Sequence, residues 1–277
     1  MTLRQQMRSM NLENRCPICD GLSSILHAHP DLKNYPVLNN LRNRHDMSSL
    51  PCPACKPESL DVALAEANER DVKYYLGRSG VPERFHDVSI DTFVAAPEAL
   101  RTAGLKGADI AHRLAWKEAI CAYLGDISGN LNDGKGLTLT GSVGTGKTLA
   151  LYIVAGHIVR ECRQFVTLVP ERTIFESVKE TFGYKDGQSE GEVLKRFENA
   201  DVLMIDDFGV RKATEWVTDI YHSIIDSRWD AGKPTFVSSN LPVSELLQIY
   251  PRQMDRLKKN VAIEMVGGSL RGTELEK

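Results

Sequence analysis

Residues 141–148 read GSVGTGKT, a string whose side chains and missing side chains suit the gripping of phosphate. Gly141, Gly144 and Gly146 permit left-handed backbone, so the amides along Ser142, Val143 and Thr145 can turn toward anionic oxygens that a Cβ would obstruct. Lys147 adds a positive charge for β and γ phosphates, and the Thr148 hydroxyl can ligate Mg²⁺. Such a string arises by chance in an occasional chain. Here it follows the apolar run GLTLT and opens a helical pattern, the strand–loop–helix context of a Walker A cradle for ATP, and the helix dipole adds favourable potential for the phosphates.

A second group of polar residues sits where apolar runs end. VLMIDD reads as a buried parallel strand closing on Asp206 and Asp207. Alone the pair is as well read as a helix cap. After a Walker A loop, Asp206 is expected to join the Mg²⁺ shell and Asp207 to orient or deprotonate the attacking water. PTFVSSN ends on Ser239 and Asn240, a hydroxyl and an amide suited to hydrogen-bonding a γ-phosphate or its water. Its strand, 235–238, is expected between the strand of the phosphate loop and that of the carboxylates. RQMDRL places Arg252 and Arg256 four apart on one helical face with Asp255 beside them. An arginine of this kind either forms a surface ion pair, the reading that suits Arg252 better, or reaches a transferred γ-phosphate.

Cys16 with Cys19, and Cys52 with Cys55, form two CxxC knuckles, the spacing that lets paired thiolates share a tetrahedral Zn²⁺. The 32 residues between the pairs exceed the usual separation, so the loop must close on itself. His27, His29 and His45 lie in that loop as alternative ligands. Four thiolates suffice.

These residues require elements to position them. Apolar runs alternate with longer amphipathic stretches from Gly136 onward, which predicts an α/β fold: a parallel sheet flanked by helices. Strands are expected at 137–140, 165–169, 202–205, 235–238 and 261–265. Helices are expected at 148–162, 171–182, 191–200, 214–229, 244–247 and 252–258. Earlier, a helical period over 59–76 ends a small zinc-stapled domain, 1–80. GRSGVP, 77–82, has a linker's glycines and proline, and lead-in helices occupy the rest of 81–135 before an ATPase domain at 136–277. Trp216 and Trp229 read as packing residues.

The formal net charge is −3, and residues 1–80 carry ten Lys/Arg against nine Asp/Glu, which excludes a wholesale basic surface. Any nucleic-acid contact must be local. The longest apolar run, 149–159, is broken by His157 and too short to span a bilayer, and the start has no signal-peptide core, so a cytoplasmic protein without membrane contact is expected.

From about Val81 to Gly272 the chain resembles the DnaC/DnaI-type replicative helicase loaders and the related IstB-like transposition helpers, members of the AAA+ ATPases. The resemblance rests on VPERFHDVSIDTF, GSVGTGKT, FESVKETFG, LMIDDFGV, PTFVSSN, RQMDRL and SLRG, in that order. It implies Walker A at 141–148, Walker B at Asp206 and Asp207, sensor 1 at Asn240, an arginine finger at Arg256 serving a neighbouring subunit, and sensor 2 at Arg271. It also implies contact of the segment 171–199 with single-stranded DNA through Lys179, Thr181 and Phe182, and a grip of the zinc-bearing domain on a hexameric replicative helicase. One departure is Asp207, where glutamate is frequent. The leading expectation is an ATP-dependent helicase loader; the alternatives are an IstB-like helper delivering a transposase and, further off, a small-molecule kinase.

Overall fold

Five parallel strands form one sheet in the order β2-β3-β4-β1-β5. They are β1 (Leu137–Thr140), β2 (Val166–Pro170), β3 (Val202–Asp206), β4 (Thr235–Ser239) and β5 (Val261–Glu264). The computed structural model describes residues 57–93, 100–101, 106–182 and 189–267. Every residue of β1, β3 and β4 is buried, the threonines and serines of β1 and β4 included, as strands covered on both faces require, whereas edge strand β5 buries only Ile263. The insertion of β4 between β3 and β1 matches expectation. Val237 pairs with Thr138 on one side and Ile205 on the other.

Ten helices are described: α1 (Pro57–Arg78), α2 (Ile90–Phe93), α3 (Gly107–Gly125), α4 (Ile127–Asn132), α5 (Lys147–Cys162), α6 (Glu171–Lys179), α7 (Glu190–Asn199), α8 (Glu215–Asp230), α9 (Val243–Ile249) and α10 (Pro251–Arg256). Their starts follow local chemistry. Ser189 and Glu192 form a reciprocal capping box at α7, and the Thr214 hydroxyl accepts from the amide of Val217 at α8. Two stretches depart from the sequence pattern. Residues 171–182 are helical only to Lys179, and the helix expected over 252–258 tightens into a 3₁₀ turn at Leu257–Lys259. Tertiary packing of Leu257 outweighs the continuing helical period there.

The chain divides into two compact units, Met1–Lys73 and Tyr74–Lys277. Residues 77–82, spacer-like in composition, are part of the second unit. Leu76, Ser79 and Val81 are buried, and the Ser79 carbonyl accepts from the Leu168 amide of β2 at 2.7 Å. Gly80 has φ +87, and a Cβ there would lie 2.1 Å from the Leu168 carbonyl oxygen. Only glycine permits so close an approach.

Arg228, on α8, has no accessible surface. Its guanidinium donates to the carbonyls of Phe197, Ala200 and Pro234 at 2.9, 2.6 and 2.7 Å, and to the Thr235 hydroxyl at 2.9 Å. One side chain thereby ties the end of α7 to the approaches of β3 and β4. Burial pulls its pKa down to about 10, leaving it charged near neutrality. Arg228→Met keeps the stem but strips several buried carbonyls of their donor, so a loss of at least about 3 kcal/mol is expected. A urea midpoint equal to that of the parent protein would overturn this assignment.

Candidate nucleotide site

The carboxyl ends of parallel strands gather ligands in a doubly wound sheet, and the phosphate loop leaves β1 at that end. Gly141, Gly144 and Gly146 have φ of 145, 86 and 100°, the left-handed region glycine favours. The Cβ absent from Gly141 would stand 2.4 Å from the Met265 carbonyl oxygen. Val143 is exposed at the loop tip, so its backbone is what it can contribute, and the buried Thr145 hydroxyl donates to the Ser142 carbonyl at 3.0 Å. Lys147, at the first turn of α5, is buried. Its Nζ donates to the carbonyls of Gly141 and Ser142 at 2.8 Å each.

Thr148, one residue on, reaches β3. Its hydroxyl donates to both Asp206 oxygens, at 3.1 and 2.9 Å, joining the loop to the carboxylate pair. Ser238 of β4 also donates to Asp206, and the Ser238 hydroxyl accepts from the Asp207 amide at 3.1 Å. Burial pushes the Asp206 carboxyl above its ordinary pKa against the hydrogen bonds from Ser238 and Thr148, and the neighbouring Asp207 raises it further. A hydroxyl and a carboxylate meeting at a helix start are hard oxygen donors, which suits a divalent cation such as Mg²⁺. Asp207 is exposed and Asn240 lies beside it, Nδ2 to Oδ1 at 3.4 Å.

The end of PTFVSSN points to Ser239 together with Asn240 as the polar groups of the site. The structure corrects this. Ser239 is buried and its hydroxyl donates to the Phe208 carbonyl at 2.6 Å, so Ser238 is the β4 hydroxyl that meets the Asp206 carboxylate and the Asp207 amide. Sequence could have suggested Ser238 only through register, because side chains alternate across a strand.

Arg256 lies elsewhere. With Gly134, Trp229, Thr235 and Asn260 it lines a recess at the amino ends of β1, β4 and β5. A strand length, on the order of 13 Å, separates that edge from the phosphate loop. Its guanidinium lies 4.3 Å from the Trp229 ring centre, and its Nε donates to Asp226 at 3.4 Å. Asp226 also receives Arg252, so Asp226 binds both arginines. Trp229, expected as packing, is 38% exposed and serves as the platform beneath a cation.

A third cluster gathers beyond α6. Lys179 Nζ is 5.6 Å from the Trp216 ring centre, and the ring of Phe182, 56% exposed, is 6.2 Å from the same indole. The Thr181 hydroxyl is engaged with the Val178 carbonyl at 2.7 Å.

No protein-family model matches the chain. The phage-like element PBSX protein XkdC of Bacillus subtilis is 29% identical over 233 residues, which cover 77% of this chain and 80% of that protein. The replicative helicase loader DnaI of Bacillus subtilis is 35% identical over 115 residues, 41% of this chain but only 35% of DnaI. A crystal structure of DnaI matches 69% of this chain and 95% of its own with a TM-score of 0.50 at 22% identity, a likeness of fold. The chain resembles the DnaC/DnaI-type helicase loaders. Its fold is α/β, a parallel sheet flanked by helices with a phosphate-loop motif after β1, and it is shared with the crystal structures of DnaI and DnaC.

In this loader-like chain the structure brings together Gly141, Ser142, Lys147, Thr148, Asp206, Asp207 and Asn240, and holds Arg256 apart. Cys16, Cys19, Cys52, Cys55 and Arg271 lie outside the described residues. Among the described residues no group of three or more His, Cys, Asp or Glu could hold a metal, and no helix is long and apolar enough to cross a membrane.

Proposed function

We propose that this chain is an ATP-dependent loader that places a hexameric replicative helicase on single-stranded DNA. The observation that carries the reading is the pair of Thr148–Asp206 hydrogen bonds, which joins the phosphate loop to the carboxylates at the ends of β1 and β3. Similarity to proteins named replicative helicase loaders supports it.

Lys147 and the amides of 141–148 grip the triphosphate. Thr148 and Asp206 hold Mg²⁺, which when bound neutralises charge on the phosphates. Asp207 orients the attacking water with Asn240 beside it, and Arg271 is assigned to the sensor that reads the γ-phosphate. Arg256 serves the nucleotide of a second copy of the chain, because its own lies a strand length away. Single-stranded DNA is met by Lys179, Phe182 and Trp216, where aromatic faces and an ammonium lie together. The four cysteines hold Zn²⁺ in a domain that grips the helicase.

The test is co-purification with the replicative helicase of the host, followed by deletion of the first unit. The cut belongs after Lys73 rather than after Gly80, because the burial of Leu76 and Ser79 and the hydrogen bond from Leu168 belong to the second unit. The parent protein is expected to carry the helicase with it and the shortened one to lose it. Absence of any complex at micromolar concentration would remove the loader reading, and stimulation of DNA strand transfer instead would favour a transposition helper.

A further inference from the structure

Glu171, the first residue of α6, is a carboxylate with 2% exposure beside an apolar cluster that includes Phe175, Phe208, Tyr221 and Tyr250. Burying such a group is costly unless donors surround it. Its Oε1 accepts from the Gly209 amide at 3.0 Å and its Oε2 from the Arg211 amide at 3.1 Å, while the Tyr221 hydroxyl also donates to Oε1. Two of these three donors belong to the loop that begins at Asp207.

That loop is strained at its start. Asp207 has φ +58, the left-handed region that a side chain disfavours, and such a residue persists only where its surroundings over-determine it. The surroundings are visible on both sides. Upstream, the Asp207 amide donates to the Ser238 hydroxyl, and the Phe208 amide to the Ser238 carbonyl at 2.7 Å. Downstream, the Glu171 carboxylate fixes residues 209 and 211, the Tyr250 hydroxyl donates to the Arg211 carbonyl at 3.2 Å, and the Arg211 guanidinium lies 5.2 Å from the Phe175 ring centre.

We infer that Glu171 is a positioning residue for Asp207, holding residues 209–211 so that Asp207 keeps its left-handed backbone and its place beside Asn240. This rests on the reading of Asp207 as the group that orients the attacking water. The same clamp fastens the first turn of α6 to the loop of that carboxylate, so the two move as one piece.

The test uses the full chain with Mg-ATP and measures turnover and nucleotide affinity separately. Glu171→Gln keeps the shape but sets an amide NH₂ against backbone N–H groups. Turnover is expected to fall on the order of tenfold, since a misplaced base forfeits part of its usual contribution, with affinity within about twofold. Tyr221→Phe removes one donor, leaves the ring packed, and is expected to lower turnover a few-fold with the same split; it also decides the matter if Glu171→Gln does not fold. Unchanged turnover in the folded variants would overturn the inference, and so would affinity and turnover falling in parallel, which marks general loosening. Asp207→Asn is the reference: strong loss there with full turnover in the Glu171 and Tyr221 variants defeats the clamp alone, whereas full turnover in Asp207→Asn defeats the reading beneath it.

Discussion

Lys147→Ala is expected to lower nucleotide affinity by at least on the order of 100-fold and turnover by on the order of 1,000-fold. The physical ground is the setting of the ammonium group. It is buried at the first turn of α5 and hydrogen-bonded to the Gly141 and Ser142 carbonyls, so it is held within the loop before any phosphate arrives. A charge fixed in a water-poor site attracts an anion far more strongly than one in bulk water. Because Lys147 also ties the loop together, alanine carries two losses at once, charge and restraint. Lys147→Met separates them: it keeps the stem and loses the charge, and should be nearly as deficient. Calorimetric titration with a nonhydrolysable ATP analogue gives the answer. Affinity within threefold of the parent in both variants would show that the loop does not grip triphosphate, and the proposed function would fall with it.

Arg256→Ala should slow turnover on the order of 1,000-fold while leaving nucleotide affinity within about twofold. The recess that holds Arg256 opens at the amino ends of the strands, opposite the phosphate loop, so no rotation of its side chain serves its own nucleotide. Asp226 and the Trp229 ring instead hold it on that edge, where another copy of the chain can meet it. Complementation follows from this geometry. Mixed with Asp206→Asn, the Arg256→Ala protein should recover part of the activity that neither shows alone, because one mixed interface pairs an intact loop and carboxylate with an intact arginine. No recovery across a range of mixing ratios would place the arginine's action within a single chain. Arg252, whose own side chain is over half exposed in its ion pair with Asp226, should matter much less when replaced by alanine.

Much of the candidate nucleotide site was legible in the residues alone. Glycine at three left-handed positions, a lysine and a threonine at a helix start, and acids at the end of an apolar run are all local requirements, and local requirements leave local spacing. The place of β4 was legible for a related reason: polar groups that are to polarise water beside the carboxylates need a strand between β1 and β3 to carry them. Less legible was everything that depends on two distant segments meeting. That the Ser238 hydroxyl serves Asp206 and Asp207 while Ser239 turns to Phe208 is a matter of register. That 77–82 packs on β2 instead of spanning two domains depends on one approach at Gly80.

The sequence by itself determined the class of fold, the phosphate loop and the carboxylates that face it, because each is written in neighbouring residues whose backbone angles and burial follow from their own types. Only the tertiary structure decided the parts played by Glu171, Arg228 and Trp229. A buried carboxylate or guanidinium is tolerated through partners tens of residues away, Gly209 and Arg211 for one, Phe197 and Ala200 for the other. Trp229 looks like core by type and helical spacing, and it becomes a platform for Arg256 because the fold brings α10 across its face.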